Sequence, residues 1–190
     1  MRRIVILASG SGSNAEALIR HFAASQVARV VAVVSDRKGA GVHARASALG
    51  VPSVWLSPKR RTTAGETLAL LRELDAEVVV LAGYLRLVPA DVLAGFPERV
   101  INIHPALLPR YGGAGMYGRH VHEAVAAARE RVSGITVHLA DEVYDRGRVL
   151  FQATVALAPG MDAAAIAAAV LRLEHRHFAP VVEAHAARLA

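Results

Sequence analysis

The 190-residue chain contains no cysteine, so disulfide bonds, thiolate nucleophiles and cysteine-ligated metal sites are excluded. It also has no apolar run that approaches the roughly 20 residues a membrane-spanning helix needs. The apolar run that follows Arg2 and Arg3 lasts only from Ile4 to Ala8 and leads into a glycine loop, which predicts a core strand rather than a signal peptide. We therefore expect a cytoplasmic protein with no membrane association.

Aromatic residues make up only 5% of the chain, and lysine is almost absent, since 20 of the 22 basic residues are arginines. The net charge is +6, yet the arginines are scattered and only Lys59–Arg61 forms a basic run. Nucleic-acid binding typically uses a clustered basic patch, whereas a diffuse positive balance suits anionic small molecules such as phosphates. We expect small-molecule partners and no nucleic acid, with a basic binding module as a less favoured alternative.

Apolar segments of strand length alternate along the chain with longer segments of helical period. The segments RVVAVV and EVVVLA are apolar on both faces, which is typical of parallel strands covered by helices on each side. The alternation predicts one α/β domain over residues 1–190, with a Rossmann-like, doubly wound, mostly parallel sheet and helices on both faces. Ligands in such a sheet bind beyond the carboxyl ends of the strands.

The predicted strands are Arg3–Ala8, Ala28–Ser35, Val51–Leu56, Glu77–Ala82, Val100–His104, Gly134–Leu139 and Val149–Val155. The predicted helices lie near Ala15–Ala23, Gly41–Leu49, Glu66–Leu74, Pro89–Ala94 and His120–Ala128, and a long alanine-rich helix begins at about Asp162.

The first predicted strand ends in the loop ASGSGSN, which is rich in glycine and in hydrogen-bonding side chains. Gly10 and Gly12 allow a tight turn and a close approach of backbone amides to a ligand. The helix that begins near Ala15 directs its positive end at the same place, and Ser13 and Asn14 add polar groups suited to a terminal monophosphate. We interpret the loop as a phosphate site.

The same loop also fits a dinucleotide-binding fingerprint. Gly10, Gly12 and Ala15 occupy its three small-residue positions, and the acidic Asp36 follows the second strand. An NAD(P)-dependent oxidoreductase is therefore an alternative hypothesis.

A second polar cluster stands at the end of the fifth predicted strand. Asn102 and His104 share one face of that strand because side chains alternate along it. Pro105 and Pro109 stiffen the loop beyond them. This arrangement predicts two side chains held rigidly at the ligand-binding edge of the sheet.

Three carboxylates follow the sixth predicted strand, at Asp141, Glu142 and Asp145. That loop is also expected beyond a strand end, and if strands five and six are close neighbours, one carboxylate reaches His104. An amide, an imidazole and a carboxylate without a serine or cysteine nucleophile fit a transfer reaction in which the substrate itself attacks. In this hypothesis Asn102 and a protonated His104 stabilise an oxyanion, and the carboxylate holds the imidazole charged and oriented.

The segment NIHPALLPRY, from Asn102 to Tyr111, closely resembles the signature of the folate-dependent formyltransferases. The loop SGSGSN and the later segment VHLADEVYDRG match the same family at compatible spacing, so the resemblance runs over almost the whole chain. With no additional domain expected at either end, the chain is most similar to the family members that act in purine synthesis.

The resemblance implies that the amine of glycinamide ribonucleotide attacks the formyl carbon of 10-formyltetrahydrofolate through a tetrahedral intermediate, without a metal, in a monomer or homodimer. It implies catalytic roles for Asn102, His104 and Asp145. It places the ribonucleotide phosphate on Gly12, Ser13 and Asn14 and the substrate amine on Glu174. The implied folate-binding residues are Arg86, Leu87, Val88, Asn102, Ala140, Asp141, Glu142, Val143 and Tyr144.

The chain departs from the family pattern after LLPRY, where the family often continues with Pro-Gly. Here a longer glycine-rich loop, Gly112–Gly118, follows, and the sequence leaves its conformation open.

His120 and His122 are two residues apart on a predicted helix and do not share a face well, so we interpret them as structural and expect no metal site. The sequence leaves open whether His138 lines the site or packs inside the protein.

Overall fold

The computed structural model describes residues 1–189, so Ala190, the last residue of the predicted domain, lies outside the described residues. The strands, numbered β1 to β7, are Arg2–Leu7, Ala28–Ser35, Ser53–Trp55, Val78–Leu81, Val100–His104, Val132–Leu139 and Val149–Ala156. They form one sheet in the order β3-β2-β1-β4-β5-β6-β7. All seven predicted strands are confirmed, with boundaries within two residues of those observed.

Five neighbouring strands are parallel to one another, namely β3, β2, β1, β4 and β5. By contrast, β6 is antiparallel to β5, and β7 is antiparallel to β6. The expectation that the loop after β6 lies beyond the same sheet edge as the loop after β5 is therefore wrong. Leu139, the last residue of β6, pairs with Ile101 near the start of β5. The mostly parallel, doubly wound sheet is confirmed, with an antiparallel pair at one end.

The helices, numbered α1 to α7, are Ser13–Phe22, Gly41–Ala48, Pro58–Thr62, Glu66–Glu73, Ala90–Gly95, Arg119–Ala127 and Ala163–Ala186. The short helix α3 was not predicted. Pro58 stands in its first turn and the Ser57 side chain accepts a hydrogen bond from the Arg60 amide, which together form an N-terminal cap. The observed strand β3 is shorter than the predicted strand Val51–Leu56.

Successive residues of β1 point into two hydrophobic cores, one on each face of the sheet. Ile4 and Ile6 pack with α1, α2 and α7, while Val5 and Leu7 pack with α4 and α5. This double burial explains why β1, β2 and β4 read as continuous apolar runs. Among residues 1–189 no helix is both long enough and apolar enough to cross a membrane.

Candidate active site

A cavity of about 1000 Å³ opens where β1, β4 and β5 end. Its floor includes Asn102 and His104 from β5, and one wall is formed by the face of α7 that carries Glu174. The parallel strands all direct their carboxyl ends here, so the polar residues that follow them converge. The cavity therefore lies at the sheet edge where we expected a ligand.

His138 lines this cavity because the antiparallel pairing places it directly opposite Asn102. Its Nδ1 donates to the carbonyl oxygen of Leu139 at 2.7 Å, so Nδ1 carries the ring proton. In the uncharged ring, Nε2 then accepts a hydrogen bond from the amide Nδ2 of Asn102 at 3.0 Å. This bond orients Asn102 with its carbonyl on the other side and leaves one amide hydrogen for a ligand.

The imidazole of His104 has partners at both ring nitrogens. Its Nε2–H donates to the carbonyl oxygen of Tyr111 at 2.7 Å, and its Nδ1 lies 3.4 Å from Oδ2 of Asp145. Burial lowers the pKa of His104, and the proximity of Asp145 and the Tyr111 carbonyl opposes that shift only in part. The protonated imidazole expected from the sequence is thus opposed by desolvation.

Asp145 reaches His104 although its loop begins at the far end of β6. The loop turns back over the sheet, with Asp145 itself in the left-handed region at φ 58°. Its Oδ2 accepts a hydrogen bond from the Gly113 amide at 2.9 Å, and its Oδ1 lies 3.5 Å from Nε2 of His138. Burial acts to raise the pKa of Asp145, but His138, His104 and the Gly113 amide together lower it.

Asn14 and Glu174 form a second polar pair on the cavity wall. The Asn14 amide donates to Oε2 of Glu174 at 2.8 Å, and the Oδ1 of Asn14 is buried without a hydrogen bond from any residue in the described part of the chain. Burial raises the pKa of Glu174, and the Asn14 hydrogen bond offsets that shift only in part. This pair adjoins the amino end of α1.

Gly12 and Ser13, predicted to contact a phosphate, do not line the cavity, whereas Gly10 and Asn14 do. Gly12 adopts φ 84°, and a Cβ added there would lie 2.5 Å from Cγ2 of Val42. Close packing of α2 against the loop therefore accounts for this glycine. The amide groups at the start of α1 remain a suitable anion site, because Gly12 makes no side-chain cap to them.

Of the predicted folate-binding residues, all except Glu142 line the cavity. Large apolar side chains are unusually exposed there: Leu87 at 43%, Val143 at 54% and Tyr144 at 38% of their surface. Exposed apolar side chains grouped at a cavity typically mark a binding surface. Glu142 instead stands exposed beside Asp141, whose carboxylate accepts its amide hydrogen.

Arg86 is held at the cavity rim by Asp36, with 3.1 Å between Nε of the arginine and Oδ2 of the aspartate. The Asp36 side chain is only 2% exposed. Asp36 is therefore engaged within the protein, and it does not offer the free carboxylate that ribose recognition by a dinucleotide fold uses. The nicotinamide alternative loses this support.

His122 lines the cavity, although its spacing of two residues from His120 predicts a structural role. The two histidines do lie on different faces, as expected: His120 is exposed and His122 is buried with only 7% of its surface accessible. The spacing of three to the buried Val125 was the signal that places His122 on the inner face of α6. Within residues 1–189, no group of three potential ligands could hold a metal ion.

Comparison with known proteins finds relatives over nearly the whole of this chain. Residues 2–182 match the family model described as formyl transferase. The chain is 37% identical over 189 residues to the chloroplastic phosphoribosylglycinamide formyltransferase of Arabidopsis thaliana, covering 96% of this chain but 65% of that protein. It thus spans just under two thirds of the length of that curated relative.

Two further relatives match over nearly their whole length. The phosphoribosylglycinamide formyltransferase of Bacillus subtilis is 31% identical over 188 residues, covering 96% of this chain and 94% of the relative. The crystal structure of phosphoribosylglycinamide formyltransferase from Brucella melitensis is 38% identical and superposes with a TM-score of 0.87, covering 100% of this chain and 97% of that one.

Proposed function

The chain belongs to the formyl transferase family, and we propose that it transfers a formyl group from 10-formyltetrahydrofolate to the amine of glycinamide ribonucleotide. The observation that carries this proposal is the convergence of Asn102, His104 and Asp145 on the floor of one cavity. Polar groups suited to a ribonucleotide stand at one end of that cavity, and an exposed apolar wall stands at the other.

The ribonucleotide end consists of the start of α1 and the pair Asn14–Glu174. The first amide groups of α1 would bind the phosphate, since helix amino ends attract anions. Glu174 would accept a hydrogen bond from the substrate amine, while the hydrogen bond that it accepts from the Asn14 amide holds its carboxylate in place. We propose these contacts for Gly12, Ser13, Asn14 and Glu174.

The folate end fits a flat heteroaromatic ring with polar edges. Leu87, Val143 and Tyr144 offer exposed apolar surface, while the backbone of the 86–88 and 140–144 segments offers hydrogen-bonding groups. Arg86 at the rim donates one guanidinium hydrogen to Asp36. Its remaining N–H groups can donate to a carboxylate of the ligand. When bound there, 10-formyltetrahydrofolate supplies the electrophilic formyl carbon.

Asn102 and His104 would stabilise the negative charge that develops on the formyl oxygen. Asn102 is already oriented by His138 and keeps one amide hydrogen for this purpose. His104 gives its Nε2–H to Tyr111 in the present conformation, so its ring must exchange that carbonyl for the substrate oxygen. Tyr111 precedes the glycine-rich loop Gly112–Gly118, which allows such a displacement.

Asp145 would favour the charged form of His104 and relay protons through it. Its carboxylate stays ionised at neutral pH because its pKa is lowered, and it faces Nδ1 of His104. A substrate oxyanion nearby would add to this attraction and draw a proton onto the imidazole. The carboxylate therefore offsets the cost that burial places on an imidazolium.

The proposal is tested by incubating the purified protein with glycinamide ribonucleotide and 10-formyltetrahydrofolate and following the formation of tetrahydrofolate. Asn102→Ala and His104→Ala proteins should retain their fold and lose roughly a hundred- to thousand-fold in kcat. No product with the wild-type protein would refute the function. Near-normal rates in either variant would refute the catalytic roles alone.

A further inference from the structure

His122 has no role in the chemistry described above, yet it stands in the wall of the cavity. His122 lies in the first turn of α6, the helix that begins directly after the Gly112–Gly118 loop. It lines the cavity together with His104. Its ring is almost fully buried, and its Nδ1 has no hydrogen-bond partner among residues 1–189. A buried polar atom without a partner is costly and calls for an explanation.

The two ring nitrogens of His122 differ in their surroundings. Nδ1 is enclosed by protein, which leaves Nε2 as the nitrogen that a molecule in the cavity can meet. A proton on Nδ1 would bury an unpaired N–H group, and such orphaned donors are rare in folded proteins. The uncharged ring is therefore best accommodated with its proton on Nε2, directed at the cavity.

The charged groups around His122 also favour an uncharged ring. Burial lowers its pKa, and the nearby His104 lowers it further. On α6, the helix of His122, the carboxylate of Glu123 accepts a hydrogen bond from Arg119 and lies close to the ring of His120. On α7, which packs against α6, Glu174 accepts from Asn14. None of these carboxylates forms an ion pair with His122 in the described part of the chain.

We propose that His122, as an uncharged imidazole, donates a hydrogen bond from Nε2–H to the carboxamide oxygen of the ribonucleotide substrate. This inference rests on the proposed function. His122 lines the same cavity as His104, at the reaction centre, and its helix α6 packs against α7, which carries Glu174. In glycinamide ribonucleotide a single methylene separates the carboxamide from the reacting amine that Glu174 would bind, so the carboxamide oxygen is the acceptor nearest to these residues.

Other imidazoles at the cavity do not offer this donor. His104 gives its Nε2–H to Tyr111, and His138 gives its Nδ1–H to Leu139. Of these three imidazoles, only that of His122 donates no ring N–H to another group among residues 1–189. A polar site built to bond one substrate oxygen discriminates strongly against analogues that lack it, because its own group is then left unpaired.

The test compares His122→Leu with His122→Gln, using His120→Leu as the matched control on the exposed face of α6. His122→Leu should weaken binding of glycinamide ribonucleotide, measured by calorimetry without folate, by roughly tenfold to a hundredfold. His122→Gln, which keeps a neutral donor near Nε2, should recover most of the loss. The KM for 10-formyltetrahydrofolate and the properties of His120→Leu should remain unchanged.

The melting temperature of His122→Leu shows whether a change in ribonucleotide binding comes from unfolding. Removing an unpartnered buried nitrogen should leave the melting temperature of His122→Leu equal to or above that of the wild type, so weaker binding would not reflect unfolding. Equal ribonucleotide affinity in the wild-type and His122→Leu proteins would overturn the proposal while leaving the proposed function intact. Absence of both turnover and ribonucleotide binding in the wild type would overturn both.

The tautomer can be tested without substrate. In protein labelled with 15N-histidine, the ring signals that disappear in His122→Gln belong to His122. They should show an uncharged ring protonated at Nε2 at pH 7. A charged ring, or one protonated at Nδ1, contradicts the proposal whatever the activity of the protein.

Discussion

The Oδ2 of Asp145 lies 3.4 Å from Nδ1 of His104, although the loop that carries Asp145 begins at the opposite edge of the sheet. Both side chains are less than 10% exposed, at 9% and 4%. A carboxylate and an imidazole held together at low exposure interact more strongly than at a surface. The position of this loop therefore controls the charge of the histidine at the centre of the site.

We predict that Asp145→Asn lowers kcat by roughly a hundredfold, with a smaller effect on KM, because the histidine loses its proton-relay partner. It should also lower the pKa of His104 further, since the carboxylate is the main influence that raises it. Steady-state kinetics and NMR titration of the imidazole measure the two effects.

The matched control for this variant is Arg146→Gln, which changes the next residue of the same loop at an exposed position. It should leave the titration of His104 as in the wild type. An unchanged His104 titration in Asp145→Asn would contradict the coupling between the two residues.

The close packing at Gly12 predicts a large cost for a side chain there. Gly12→Ala places a Cβ 2.7 Å from the Cα of Val42, in a left-handed conformation that alanine adopts poorly. We expect the free energy of unfolding to fall by about 2–4 kcal/mol from overpacking and backbone strain. Denaturant unfolding measures this change.

Gly10→Ala provides the comparison, because no atom lies within 4 Å of a Cβ added at Gly10. Its free energy of unfolding should stay within about 1 kcal/mol of the wild type. Equal losses in the two variants would rule out contact with Val42 as the cause.

Glu174→Gln should stabilise the protein at neutral pH, because the raised pKa of Glu174 means that its ionised form is disfavoured by burial. The folded state binds the Glu174 proton more tightly than the unfolded state does. The stability gained from this tighter proton binding is complete below the pKa of Glu174 in the unfolded state. It is lost as pH rises through the pKa of Glu174 in the folded state. Glutamine keeps the hydrogen bond from Asn14 without the charge.

Thermal unfolding between pH 4 and pH 8 checks this prediction. The melting temperatures of the variant and the wild type should converge below about pH 4.5, the ordinary range of the glutamate pKa, and separate as pH rises. The same variant should bind the ribonucleotide amine less well. A difference in melting temperature that does not change with pH would contradict the assignment to ionisation of Glu174.

The ion pair of Arg86 with Asp36 predicts coupled effects on stability. Arg86→Met leaves the nearly inaccessible carboxylate of Asp36 unpaired, and we expect the free energy of unfolding to fall by about 1–3 kcal/mol. Adding Asp36→Asn removes the unpaired charge and should restore part of that loss. A double-mutant cycle measures the coupling, and additive losses would show that the pair contributes nothing.

The positions of the strands and of most helices follow from local pattern, because burial on both faces of the sheet imposes continuous apolar runs in β1, β2 and β4. The alternation of strands and helices also predicts the ligand-binding edge, and with it the placement of Asn102 and His104 on one cavity floor. These features depend on residues close together in the chain.

The direction of β6 was decided by tertiary structure, since a short apolar strand pairs equally well in either sense until its partner is known. That direction places His138 opposite Asn102, and the returning loop brings Asp145 to His104. The spacing to Val125 places His122 on the inner face of α6, but the packing of α6 against α7 decides that this face meets the cavity. Contacts between residues far apart in the chain govern these choices, and local periodicity contains no information about them.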